Sequence, residues 1–205
     1  MALKSQQIHR ITAAITARAA HGTALVALDG RAGAGKTTLA AILAEHLGGP
    51  ERATVVHGDD YLLPRPLPEL LAMDTVAGYA GYFDWPRLRD HVLVPASGRA
   101  PADRESRRAT AVTIPHGKVV IVEGVLTARP ELAAYYDLRV FVDTSADLCL
   151  RRLYDRGRTP EREAWITRWR AVEEYYLATT RLHTRVDLTV RDGYRADPTP
   201  PLCTT

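Results

Sequence analysis

The stretch Gly30-Arg-Ala-Gly-Ala-Gly-Lys-Thr37 decides the fold, because it fits the pattern G-x-x-x-x-G-K-[S/T] at every fixed position. A short apolar run, residues 23–29, precedes it and is typical of a buried strand. A helical pattern over residues 36–47 follows it. Glycines in such a loop let backbone N–H groups converge on phosphate oxygens, and the helix that starts there adds its positive end. The stretch therefore predicts a phosphate-binding loop between a strand and a helix.

The same stretch supplies the candidate nucleotide ligands. In this pattern the lysine, Lys36, reaches the β- and γ-phosphates and also serves catalysis, while the hydroxyl of Thr37 ligates Mg²⁺. We therefore expect ATP and Mg²⁺ as cofactors, with the choice between ATP and GTP open. The competing interpretation is a glycine-rich turn with an incidental lysine. The expected nucleotide-binding residues in the loop are Gly30, Arg31, Ala32, Gly33, Ala34, Gly35, Lys36, Thr37 and Thr38.

Patterns on either side of the loop predict an α/β fold. Apolar or β-branched runs indicate five strands, which alternate with helical patterns, and this rhythm favours a mainly parallel sheet. We expect a three-layer P-loop NTPase sandwich with strand order 2-3-1-4-5. The predicted strands are 23–29, 53–57, 118–122, 138–142 and 186–190. The predicted helices lie within 1–22, 36–47, 85–94, 144–155 (from the capping-box spacing of Thr144 and Asp147) and from 160 onward.

The same patterns divide the chain into segments. We expect an N-terminal helix in residues 1–22, one kinase-like domain in 23–195 and a loose tail in 196–205. Within the domain, residues 58–117 would form an excursion, mostly loop over 58–85. Residues 151–162 would form a small arginine-rich lid.

Composition excludes several classes of protein. The chain has 205 residues and a formal net charge of +3, with 24 arginines and only 3 lysines. Two cysteines, Cys149 and Cys203, argue against a disulfide framework and a cysteine-based zinc site. No apolar run is long enough for a membrane span or a signal peptide, so we expect a cytoplasmic protein. The net charge is too small to indicate a nucleic-acid-binding protein, and a homo-oligomer stays open.

Carboxylates follow two of the predicted strands. Asp59 and Asp60 come after the second strand, and Glu123 ends the third. Because the carboxyl ends of parallel strands face the ligand crevice, these groups should lie at the same edge as the phosphate-binding loop. There Asp59 could take a proton from an attacking hydroxyl or orient Mg²⁺, and Glu123 could hold the water shell of Mg²⁺. The alternatives are an Asp pair that caps a turn and a strand-end glutamate in solvent.

These carboxylates also bear on the class of enzyme. The N/T-K-x-D motif of GTPases and the L-S-G-G-Q motif of ABC ATPases are absent from the sequence. A kinase of phosphorylated acceptors uses arginines and needs no base, whereas an Asp at this edge suits an uncharged hydroxyl. The sequence therefore favours a kinase of alcohols.

Further motifs carry a family resemblance. After the loop and the Asp-Asp-Tyr segment come Phe83-Asp-Trp-Pro86, Val122-Glu-Gly-Val-Leu126 and the arginine-rich stretch 151–158. In this order they resemble the uridine kinase and phosphoribulokinase group, which includes nicotinamide riboside and pantothenate kinases. The resemblance covers roughly residues 23–193 and implies a small-molecule acceptor.

The resemblance also implies roles for single residues. It implies that Asp59 is the general base, that Asp84 binds sugar hydroxyls and that Glu123 belongs to the metal site. Arg156 and Arg158 would be lid arginines that close over the phosphates, with Arg151 or Arg152 facing the nucleotide. The acceptor candidates are Asp60, Tyr61, Asp84 and Arg107.

One segment departs from the family pattern. Residues 101–107 lack the aromatic side chains that uridine kinases use to stack the base. The acceptor could therefore be a nucleoside, or another metabolite alcohol such as pantothenate, nicotinamide riboside or a sugar. A regulatory or nucleic-acid-associated ATPase is a third alternative. The stripe of Trp165, Trp169 and Tyr176 is expected to serve packing or a subunit contact, and His57 is expected to be structural.

Overall fold

The computed structural model describes residues 2–98 and 118–191, and side chains from residue 5 onward. Five strands form one sheet in which every described pairing is parallel and the order is β2-β3-β1-β4-β5. This order confirms the prediction. The strands are β1 (Ala24–Gly30), β2 (Ala53–His57), β3 (Val119–Glu123), β4 (Leu138–Asp143) and β5 (Leu188–Arg191).

Helices cover both faces of the sheet, as expected for a three-layer sandwich. Alternate residues of β1 point to opposite faces, so Leu25 and Ala27 join one buried cluster while Val26 and Leu28 join the other. The helices are α1 (Ala2–Ala19), α2 (Lys36–His46), α3 (Leu67–Ala72), α4 (Thr75–Gly81), α5 (Trp85–Leu88), α6 (Val94–Ser97), α7 (Ala146–Tyr154) and α8 (Pro160–Thr180). The first face is covered chiefly by α5, α6 and α8, and the second by α1, α2 and α7.

The segment between β2 and β3 contains more helix than the sequence predicts. Residues 58–85, expected to be mostly loop, include a 3₁₀ turn (Gly58–Tyr61), α3 and α4. Asp74 caps α4 by accepting a hydrogen bond from the backbone N–H of Ala77 at 2.8 Å. Short helices like these are unstable alone, and α4 is held by packing against α8, where Val172 lies close to Gly78.

Two helix boundaries also differ from the prediction. The predicted helix 85–94 extends to Ser97, because α5 continues through a π-helical turn (Arg89–Leu93) into α6. In α7 the cap is Ser145, whose hydroxyl accepts from the N–H of Leu148, so the predicted capping box at Thr144 is wrong. Thr144 is instead buried and donates its hydroxyl proton to the carbonyl oxygen of Ala34.

Some sequence predictions concern residues outside those that the structure describes. They are the acceptor candidate Arg107, the segment 101–107 that contains it, and the tail 196–205.

No helix within residues 2–98 and 118–191 combines the length and the apolar character that crossing a membrane requires.

Candidate active site

The glycine-rich loop connects β1 to α2, where the sequence places it. Gly33 and Gly35 have φ angles of 81° and 93°, a region that side chains rarely adopt. A Cβ atom at Gly33 would stand 2.6 Å from the carbonyl oxygen of Cys149 on α7. Gly35 directly precedes the first turn of α2, so backbone N–H groups of that turn open toward the cavity above the loop. The loop conformation therefore needs glycine at both positions.

The side chain of Lys36 is held along its own loop. Its Nζ donates hydrogen bonds to the carbonyl oxygens of Gly30 and Arg31, each at 2.9 Å, and the residue is 7% exposed. Lys36 also lines a cavity of about 490 Å³ with loop residues on either side of it. An ammonium group fixed in this position brings a positive charge to the edge where phosphate oxygens would bind.

A hydroxyl and a carboxylate that line this cavity are hydrogen-bonded to each other. The Oγ1 of Thr37 donates to Oε1 of Glu123 at 3.0 Å, and Nδ1 of His57 lies 2.8 Å from the same oxygen. Hydroxyl and carboxylate oxygens are the ligands that Mg²⁺ prefers. Thr37 and Glu123 therefore fit the metal predicted from the sequence. His57, expected to be only structural, belongs to this group of polar side chains.

The two carboxylates that follow β2 separate in the structure. Asp59 lines the main cavity with the loop, whereas Asp60 lines a shallower cavity beside β2. Partial removal of water by the cleft raises the pKa of the Asp59 carboxyl above its usual range. Lys36 and His57 oppose this rise, and the nearby charges of Glu123 and Asp60 add to it. Asp59 is thus a carboxylate suited to accepting a proton, and Asp60 does not share its surroundings.

Two further acceptor candidates lie outside the lining of the main cavity. Asp84 caps α5 by accepting from the N–H of Arg87 at 3.1 Å. The ring of Tyr61 stacks under the guanidinium of Arg87, 4.8 Å from its centroid. Tyr61 and Asp60 line the shallow cavity instead. Of the three predicted aspartates Asp59, Asp60 and Asp84, only Asp59 therefore lines the cavity together with the loop.

The arginines around the loop differ in their partners. Arg156 lines the main cavity, and so does Arg162, which the sequence did not single out. Nη1 of Arg152 donates to the carbonyl of Gly33 at 3.3 Å. Arg158 is bound to Glu163 at 2.7 Å, and Arg31 forms an ion pair with Glu174. Residues 151–162 form the end of α7, a loop and the start of α8, and the lid stays a prediction.

Aromatic side chains from α8 form a wall of the cavity. Trp165, Ile166 and Trp169 line it, together with Leu62 and Val125. Tyr82 packs against both tryptophans, with centroid distances of 5.1 Å to Trp165 and 5.8 Å to Trp169. The sequence assigned these tryptophans to packing or a subunit contact; in the structure they pack and also face the cavity, which periodicity along a helix could not reveal.

Sequence reasoning also missed two buried carboxylates that hold the loop. Oε1 of Glu173 on α8 accepts from the N–H of Ala32 at 2.7 Å and from Nε1 of Trp169 at 2.8 Å. Burial raises the pKa of Glu173. Asp29, at the end of β1, is fully buried and accepts from the hydroxyl of Tyr176 at 2.8 Å. An acidic residue on the apolar face of a predicted helix was the available signal for Glu173.

Comparisons with known proteins agree with this geometry. A scan against protein-family models matches none of them. A uridine kinase from Shewanella baltica (strain OS155 / ATCC BAA-1091) is 31% identical, over 67% of this chain and 72% of its own length. A uridine kinase from Shewanella sp. (strain ANA-3) is 30% identical with the same coverage.

Solved structures share the fold. A protein from Bacillus stearothermophilus described as a possible uridine kinase superposes with a TM-score of 0.55 at 21% identity, over 82% of this chain and 88% of that one. A protein from Silicibacter sp. TM1040 described as a proposed fructose transport system kinase gives a TM-score of 0.51 at 24% identity, over 82% and 90%. With the curated relatives, the loop and the sheet order, these matches show that the chain belongs to the uridine kinase family of P-loop kinases.

Proposed function

We propose that the protein is an ATP- and Mg²⁺-dependent kinase that transfers the γ-phosphate to a hydroxyl of a nucleoside or nucleoside-like acceptor. One observation carries the proposal: a single cavity joins the glycine-rich loop, the carboxylate of Asp59 and the aromatic wall of α8. A kinase needs these three parts, for the phosphates, for the attacking hydroxyl and for the body of the acceptor. Such an enzyme would act in the cytoplasm, where ATP is supplied.

The loop end of the cavity would hold the phosphates. Backbone N–H groups of the loop and of the first turn of α2, with Thr38 among them, would bind phosphate oxygens. Lys36 would turn from its loop carbonyls to the β- and γ-phosphates, and Thr37 and Glu123 would hold Mg²⁺. When bound, Mg²⁺ neutralises charge on the phosphate oxygens.

Asp59 would act on the acceptor hydroxyl. Its carboxylate would accept the hydroxyl proton as the oxygen attacks the γ-phosphorus in line. The raised pKa of Asp59 makes this carboxylate, in its ionised form, a stronger base than an ordinary aspartate. Arg156 from the wall, and Arg152 and Arg158 after closure of the predicted lid, would stabilise the charge of the transferring group.

The aromatic wall favours a planar acceptor. Trp165 and Trp169 present indole surface to the cavity, and aromatic rings stack well on nucleobases. The relatives named uridine kinase support the same class. A kinase of another metabolite alcohol is the second candidate, because Asp84, which the resemblance assigns to sugar hydroxyls, here caps a helix.

An acceptor screen tests the proposal. Purified protein with ATP and Mg²⁺ is incubated with nucleosides, nicotinamide riboside, pantothenate and sugars, and ADP release that depends on the acceptor is measured. The variant Lys36→Ala is the control for contaminating kinases. We expect turnover with at least one nucleoside; turnover with a sugar or pantothenate alone would establish the second candidate. If no acceptor raises ADP above the control, the proposal fails.

A further inference from the structure

His57 lies where two strand ends meet. It is the last residue of β2, and its register partner on β3 is Glu123. Register partners on neighbouring parallel strands project their side chains to the same face of the sheet. The imidazole and the carboxylate therefore stand side by side at the edge that carries the glycine-rich loop.

The hydrogen bonds at Glu123 share one oxygen. Oε1 accepts from Thr37 Oγ1 at 3.0 Å and from His57 Nδ1 at 2.8 Å. The carboxylate side chain is only 6% exposed, whereas the imidazole is 48% exposed. Two donors on one oxygen fix the rotation of a carboxylate, so that its second oxygen, Oε2, has a defined direction. In a largely buried group water competes little with these donors.

We propose that His57 is a positioning residue for the metal site: by donating Nδ1–H to Oε1 of Glu123, it aims Oε2 at the Mg²⁺ water shell beside Thr37. Partners of this kind, one bond removed from the ion, commonly change metal affinity 10- to 100-fold when they are lost. The inference rests on the proposed function, because it concerns the metal that accompanies the nucleotide. The competing explanation is an ion pair that contributes only to folding.

A direct measurement of metal binding tests this role without any acceptor. Mn²⁺ is titrated into the protein with a non-hydrolysable ATP analogue, and free Mn²⁺ is measured by electron paramagnetic resonance. We expect His57→Leu to weaken Mn²⁺ binding roughly tenfold. His57→Asn, whose side-chain N–H lies near the position of Nδ1, should restore most of the affinity. His91, which lines the shallow cavity beside β2, supplies the matched control His91→Leu, with unchanged affinity expected.

A double-mutant cycle separates positioning from a general effect. In a Glu123→Gln background, His57→Leu should have little further effect, since the residue through which His57 acts is already changed. Equal losses in both backgrounds would overturn the inference, and so would an unchanged affinity of His57→Leu. Thermal unfolding without metal or nucleotide checks each variant, and His57→Ala replaces the leucine variant if that protein does not fold.

The outcomes for the two proposals are distinct. A wild-type protein that binds no Mn²⁺ with the nucleotide analogue would overturn both. Normal metal binding by wild type and His57→Leu alike would overturn only the role of His57. If the wild-type protein binds Mn²⁺ with the nucleotide analogue but turns over no acceptor, the proposed function is overturned. The role of His57 is then still decided by the double-mutant cycle with Glu123.

Discussion

Two parts of the lining of the main cavity, the loop and the aromatic wall, are built in different ways. The loop comes from one continuous stretch, residues 30–38, whose backbone includes three glycines at positive φ. The aromatic wall and its apolar neighbours are side chains from distant parts of the chain, among them Leu62, Val125 and Trp165. Backbone geometry at the loop allows few substitutions, whereas the aromatic wall can change residue by residue. The acceptor should therefore vary within this fold more readily than the nucleotide.

Asp59 lines the same cavity as the loop and the aromatic wall, and its loss should have the largest effect. We expect Asp59→Asn to lower kcat about 10³-fold, because a positioned base contributes typically 10²- to 10⁴-fold. Binding of ATP, measured by calorimetry, should persist. Asp60→Asn is the matched control and should change kcat far less, since Asp60 lines the other cavity. Near-normal turnover of the Asp59 variant would remove it from the role of base.

The loop is tested by Lys36→Met, which removes the charge and keeps much of the side-chain volume. We expect kcat to fall about 10²-fold, the usual cost of losing one fixed donor to the developing charge, with weaker ATP binding as well. The KM for the acceptor should change little. Steady-state kinetics with both substrates varied measures kcat and the two KM values. An effect confined to the KM for the acceptor would contradict the assignment of the loop to the nucleotide and of the aromatic wall to the acceptor.

The aromatic wall is tested by Trp165→Leu, which keeps an apolar side chain and removes the ring. We expect the KM for a nucleoside acceptor to rise about tenfold, because stacking on an aromatic ring contributes about 1–3 kcal/mol per base. The KM for ATP should stay the same. Trp85→Leu is the control, since Trp85 packs against Arg129 rather than lining the cavity. Equal rises in the KM for the nucleoside and the KM for ATP would show that the aromatic wall does not contact the acceptor alone.

Glu173 links the loop to the aromatic wall through its hydrogen bonds to Ala32 and Trp169, and its replacement should have the smallest effect. Burial raises the pKa of Glu173 in the folded chain above its unfolded value, roughly 4.3. Ionisation of this carboxyl therefore costs more free energy in the folded state than in the unfolded state. As a result, the free energy of unfolding decreases as pH rises from the unfolded pKa through the folded one. Glu173→Gln cannot ionise and keeps an oxygen for Ala32 and Trp169.

The stability of Glu173→Gln relative to wild type should accordingly rise with pH over that window and then level off. Urea denaturation at several pH values measures it. Glu174→Gln is the control: Glu174 is 53% exposed and pairs with Arg31, so no such rise is expected. A flat difference for Glu173→Gln would show that its carboxylate is not penalised by burial.

Much of the fold could be predicted because its signals are local. The glycine-rich loop depends on residues adjacent in the chain, and the five strands are short apolar runs that periodicity detects. The helices between Gly58 and Gly81 escaped prediction because their stability comes from packing on α8. The cap at Ser145 differs from the predicted Thr144 by one residue, and both residue types cap helices well.

The position of part of the candidate site could also be predicted from the sequence. Six of the nine predicted loop residues line one cavity together with Asp59, Glu123 and Arg156, because the carboxyl ends of parallel strands share one edge. Gly30, Arg31 and Ala34 are not part of that lining. Asp60, Tyr61 and Asp84 lie elsewhere, since a 3₁₀ turn and a helix cap direct them away from the loop. Trp165, Trp169 and Arg162 reach the cavity only through the packing of α8, which no spacing in the sequence encodes.

The sequence by itself determined the glycine-rich loop, the parallel sheet and the resemblance to a kinase family, since these depend on residue types and motifs that can be read along the chain. The tertiary structure alone decided which of two adjacent aspartates faces the loop, which helix walls the cavity and which histidine contacts Glu123. These depend on contacts between residues up to 147 positions apart, such as Asp29 with Tyr176. Such contacts form only when the helices pack on the sheet.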